Sequence, residues 1–108
     1  MAFHALDVSI EAIRSLRGPL VTIRSCDSSL SQQIRRAASS VSLNLAEGNR
    51  RRGKDRRHFF RIAAGSANEV RAALRVAEAW GYVEARAIAR ALGLLDQALA
   101  MLWKLTHH

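Results

Sequence analysis

Apolar residues recur at steps of three and four along nearly the whole 108-residue chain, in four runs separated by short polar or glycine-containing breaks. That period belongs to the α-helix, and nowhere do β-branched residues alternate over a strand's length. Ala is the commonest residue and there is a single Pro, which favours helix further. The pattern therefore predicts an all-α fold: four helices over about 4–24, 29–47, 55–80 and 84–106, in one domain spanning 1–108. Short connections between long helices imply an antiparallel up-down four-helix bundle.

The first stripe is Phe3, Leu6, Ile10, Ile13, Leu16, Leu20 and Ile23. Gly18-Pro19 interrupts it, but the stripe continues, so a kinked single helix is expected. Ser25 to Ser29 reads as a loop, with Asp27 or Ser28 as the cap of the second helix. Leu30, Ile34, Ala37, Val41 and Leu45 line that helix, with Asn44 at the edge of the stripe. Leu43 lies off it, near Arg36 and Glu47, and suggests a second contact.

Gly48 to Lys54 reads as a connection, and Asp55 as the cap of the third helix. The expected buried face of that helix is Phe59, Ile62, Ala63, Ser66, Val70, Ala73, Leu74, Ala77 and Trp80. Phe59 and Phe60 are read as core. Gly65, Ala72 and Ala79 recur every seven residues and form a smooth groove. Gly81 suits the left-handed position that ends a helix. The fourth helix has two adjoining stripes, Ile88, Leu92, Leu95, Leu99, Leu102 and Ala91, Leu94, Ala98, Met101, Leu105. So wide an apolar surface exceeds what one core needs and implies burial outside the monomer.

Composition narrows the function classes. The one cysteine, Cys26, excludes an internal disulfide and any four-thiolate zinc site. No apolar run reaches the roughly 18 residues of a spanning helix, and no signal peptide is visible, so a cytoplasmic location is expected. His107-His108 is the kind of pair a purification tag leaves, and no function is read into it.

The net charge of +8 is concentrated. Arg50, Arg51, Arg52, Lys54, Arg56, Arg57, Arg61, Arg71 and Arg75 face only Asp55 and Glu69 between residues 50 and 75, which leaves +7 there and +1 elsewhere. Arg57, Arg61, Asn68, Arg71 and Arg75 also follow helical spacing as a row. Such a field attracts polyanions, chiefly nucleic acid, or an acidic protein surface. Like charges are unfavourable at a helix N-terminus, where an incoming phosphate would relieve the repulsion and meet free backbone N–H groups. Arginine's paired donors suit phosphate. The chain has no helix-turn-helix, zinc-finger or ribonucleoprotein signature, so weak sequence preference is expected.

Residues 33–48 carry Gln33, Arg35, Arg36, Ala37, Ala38, Ser40, Val41, Asn44, Ala46, Glu47 and Gly48 at fixed spacing, followed by Phe59, Ile62, Ala63, Gly65, Ser66 and Glu69. This pattern resembles the bacterial four-helix bundle proteins first described from intervening sequences in 23S ribosomal RNA genes. The accessory protein of diversity-generating retroelements is similar to them. The resemblance implies a ring-shaped homo-oligomer, a pentamer, with a basic surface and a nucleic-acid-related role. It also implies a partner such as a reverse transcriptase. In many members a Pro stands where this chain has Ser42.

Arg35, Arg36, Asn44, Glu47, Gly48, Gly65, Ser66 and Glu69 are read as structural, with no catalytic residue, metal or cofactor. The mixture has no nucleophile–base pair and no metal-ligand cluster. Glu47 and Glu69 are expected to accept from Arg35, Arg36 or Arg61, within the bundle or across a subunit boundary. Asn44 is expected to pin helix two against helix three. The functional expectation is an oligomeric nucleic-acid-binding accessory protein. The alternative is a protein-interaction scaffold whose basic patch docks an acidic partner.

Overall fold

The computed structural model describes residues 2–107, and side chains from His4 onward. Phe3 and His108, both named above, fall outside the described side chains. Four helices follow in order: α1 (Ala2–Cys26), α2 (Ser28–Arg50), α3 (Gly53–Ala79) and α4 (Ala85–Thr106). Each packs on its neighbours in sequence, and α1 closes the circuit against α4. The result is an up-down bundle 42 × 22 × 19 Å across, without strands among the described residues.

The connections are shorter than the sequence suggests. α1 runs unbroken through Pro19. Only Asp27 separates it from α2, in place of the expected five-residue loop. Extended backbone at Asp27 (φ −155°, ψ 94°) turns the chain, and its Oδ1 caps α2 by accepting from the Leu30 N–H at 2.9 Å. α2 continues past Glu47 to Arg50, leaving only Arg51 and Arg52 as the second connection. Gly53, at φ +58°, redirects the chain into α3. Asp55 therefore lies in the first turn of α3 and does not cap it; the cap is Arg52, without a side-chain bond. Gly81 takes the left-handed conformation after α3, at φ +80°.

The α2 stripe is buried as its spacing predicts from Ile34 to Leu45, with Leu30 half-buried against the same core. On α3 the expected face is buried at Ala63, Val70, Ala73, Leu74 and Ala77, and it departs from expectation at its edges, where Phe59 and Ser66 are half-buried and Ala67 joins the core. Phe60, Ala63, Ala67, Val70, Ala73, Leu74 and Ala77 are buried, whereas Ile62 and Trp80 are exposed. On α4 the two stripes serve the chain's own core. Ile88, Ala91, Leu95, Ala98 and Leu102 are buried, and Leu92, Leu94, Leu99, Met101 and Leu105 are half-buried against the same cluster. The width of that surface matches a helix seated between α1 and α3, so it requires no outside partner.

Hydroxyls tie the helices together where apolar packing leaves the register loose. Ser9 Oγ and Ser42 Oγ, both buried, lie 2.8 Å apart across α1 and α2. Ser31 Oγ donates to the Leu20 carbonyl at 3.2 Å across α1 and α2. Ser66 Oγ donates to Ser40 Oγ at 2.8 Å across α2 and α3.

Candidate nucleic-acid interface

The bundle's two ends differ in charge. Its basic end gathers the last turn of α2, the Arg51–Arg52 connection and the first turns of α3. Arg50, Arg52 and Lys54 are exposed there, and Arg56 and Arg57 half-buried. The first backbone N–H groups of α3 have no intrahelical acceptor and point to the same solvent. Asp55, in that turn, supplies a partly offsetting charge.

Arg51 is engaged inside this cluster. Its Nε donates to Glu47 Oε2 at 2.8 Å, its Nη1 lies 3.8 Å from Asp55, and its guanidinium sits 5.2 Å from the Phe59 ring centre. The hydrogen bond from Arg51 holds the Glu47 carboxyl below its ordinary pKa and raises that of Arg51. Arg50 is a looser neighbour of Glu47 at 3.7 Å. Arg56 lies 5.2 Å over the Phe60 ring. Farther along α3, Arg71 Nε is 2.8 Å from Asp96 Oδ1 on α4, an ion pair without hydrogen-bond alignment. Arg52, Lys54, Arg56, Arg57, Arg61 and Arg75 have no carboxylate within 4.0 Å among the described residues. Arg75 stands 18 residues from Arg57, about 27 Å along the helix, and does not belong to the end cluster.

The structural set departs from expectation in three places. Glu47 pairs with Arg51 and Arg50 of its own helix end, not with Arg35, Arg36 or Arg61. Exposed Glu69 forms no ion pair within the described chain; with Gln32, Gln33 and Arg36 it borders a shallow depression between α2 and α3. Asn44 stays within α2, donating to the Ser40 carbonyl at 2.8 Å and to Ser40 Oγ at 3.0 Å, so it props the hydroxyl that reaches Ser66. Gly48 is buried where the ring of Phe60 crosses it. Gly65 is exposed and leaves open space beside α3.

The 23S rRNA-intervening sequence protein family model matches residues 20–104, which takes in the end of α1, all of α2 and α3 and nearly all of α4. The chain belongs to this family. Within the family fold, the solved structure of a protein of unknown function from the S23 ribosomal protein family of Bacteroides thetaiotaomicron superposes with a TM-score of 0.84. The two are 19% identical, and the match covers 96% of this chain and 99% of that one. No curated protein matches the chain. This intervening-sequence family member has no described helix long and apolar enough to cross a membrane.

Sequence reasoning passed over one surface feature of this family member. Trp103 is exposed and stacks against His107, with ring centres 4.3 Å apart and planes 6° from parallel. The signal was available: Trp103 lies off both apolar stripes of α4.

Proposed function

We propose that this protein is a non-enzymatic, homo-oligomeric bundle that binds nucleic acid through its phosphates, as an accessory to a nucleic-acid enzyme such as a reverse transcriptase. The observation that carries the reading is the basic end. Arg52, Lys54, Arg56 and Arg57 converge there without a carboxylate partner, around the free amides that open α3. A cluster left unpaired in the folded chain is a cost to stability that a polyanion removes. The accessory role follows from the resemblance to the retroelement protein.

Assembly into a ring, a pentamer on the same resemblance, would repeat the basic end once per subunit and raise avidity. Leu43, Val76 and Trp80 are exposed on the α2–α3 side of the chain, next to the Gly65 and Ala72 groove, which supports self-association there. Native mass spectrometry tests this part: five copies of an 11.9 kDa chain are expected.

Anisotropy titration tests the binding. Labelled heterogeneous RNA and DNA, and polyglutamate as a mimic of an acidic partner, are titrated with wild type and with an Arg50/Arg52/Lys54→Ser variant. Binding of both nucleic acids, weakened in the variant, supports the proposal. Binding of polyglutamate alone would favour the scaffold reading.

A further inference from the structure

We infer that the nucleic acid bound by this chain is single-stranded, and that Trp103 is the platform on which one of its bases stacks. The inference rests on the phosphate reading above and adds the strand class and the contact that selects it.

Helical register places Trp103 beside the basic row. Arg71 and Asp96 meet across the α3–α4 seam and fix the alignment of the two antiparallel helices. Trp103 lies seven residues beyond Asp96, two turns along, and so on the same side of α4. Two turns back along α3 from Arg71 is Ala64. Trp103 is therefore level with Ala64, with Arg61 about 4.5 Å and Arg57 about 10 Å farther along the axis of α3, toward the basic end. That spacing is comparable to the distance from a base to the phosphates of its own strand.

The ring is presented for stacking. One face lies flat on His107, whose Nδ1 is 3.0 Å from the Trp103 carbonyl and 3.0 Å from Thr106 Oγ1. The residue stays 60% exposed, more than is usual for a tryptophan. An aromatic plane held beside a track of arginines is the arrangement that binds unpaired bases without regard to sequence. A duplex hides its base faces and offers this surface only phosphate.

The surroundings favour a polyanion. Among the described residues, the carboxylate of Asp96 on this seam is already held by Arg71. Asp55 pairs toward Arg51 and Glu69 borders the α2 side. Trp80 provides the contrast: it is also exposed and stacks on Tyr82, but at the opposite end of the bundle, between Glu78 and Glu84.

The test compares a single-stranded 20-mer, as RNA and as DNA, with a duplex of the same sequence. Wild type, Trp103→Ala and Trp103→Phe are titrated against each. Wild type is expected to prefer the single strand about tenfold, and Trp103→Ala to lose about tenfold on it while duplex binding stays unchanged. Trp103→Phe keeps a ring and retains most of the affinity, so it carries the test if the Ala variant fails to fold. In a Trp80→Phe background, the remaining indole fluorescence should be quenched by the single strand and not by the duplex. Salt-sensitive binding that Trp103→Ala leaves intact, or weakens equally for both strand forms, overturns the stacking platform and leaves the phosphate reading standing. Absence of binding to any of the three nucleic acids overturns both.

Discussion

A Cβ on Gly48 would come within 2.5 Å of Cε1 and 2.6 Å of Cδ1 of Phe60, a ring with no solvent exposure. The glycine near the end of α2 and the phenylalanine in the second turn of α3 thus fix how closely the two helices meet at the basic end. One position of the family pattern, the Gly after Ala46-Glu47, acquires a physical reason here. In an open helix position, Gly→Ala adds up to about 1 kcal/mol of stability. Here the sign reverses: Gly48→Ala is expected to destabilise by about 1–3 kcal/mol, because the core must shift around the ring. Urea denaturation checks it, and a Phe60→Leu background should reduce the cost.

The Ser9–Ser42 bond joins α1 to α2 inside the core. Ser9 Oγ also donates to the Leu6 carbonyl at 2.7 Å, so removing the Ser42 hydroxyl leaves Ser9 satisfied. Ser42→Ala is expected to cost about 1 kcal/mol. A double-mutant cycle with Ser9→Ala should show positive coupling between the two positions. Strict additivity would place the bond outside the folded state's energetics.

Glu47 gives a pH-dependent end to α2. Its folded pKa is lowered by Arg51, so its contribution is present above the ordinary glutamate range and is lost as pH falls through the lowered value. Melting temperature should decline with acidification over that interval, and Glu47→Gln should flatten the part of the decline that the pair produces. The comparison is made at low ionic strength, since an exposed pair is screened by salt.

Asp96 restrains one cation of the basic row. Asp96→Asn frees Arg71 and removes a negative charge from the α3–α4 seam. Stability should change by about 0.5 kcal/mol or less, as for other exposed pairs. Affinity for nucleic acid should rise, read by anisotropy at fixed salt.

The fold was legible because it depends on period and on connection length. The α2 stripe from Leu30 to Leu45 is strong and was placed correctly. Most of the α3 face is legible, but alanine gives little contrast, so Ile62 and Trp80 read as buried while Ala67 does not; contact with Gly48 seats Phe60 more deeply than Phe59. α4 was read as too wide because pattern alone cannot separate buried from half-buried leucines. The basic end was visible as charge, but its pairing was not. Arg51 lies one turn from Glu47, whereas Arg35 and Arg36 stand about 17 Å away along the same helix, and only the folded seam shows that Arg71 faces Asp96. Trp103 was missed because a lone aromatic off the stripe is ordinary until its neighbours are known.

The salt dependence of binding decides whether phosphates are held at the basic end. Log affinity for single-stranded RNA is plotted against log salt for wild type and for the Arg50/Arg52/Lys54→Ser variant. Each phosphate contact contributes about 0.7–0.9 to the slope, so the variant should be shallower by about two units. A wild-type affinity that barely changes from low to moderate salt, or a variant with the wild-type slope, would contradict phosphate binding at the basic end.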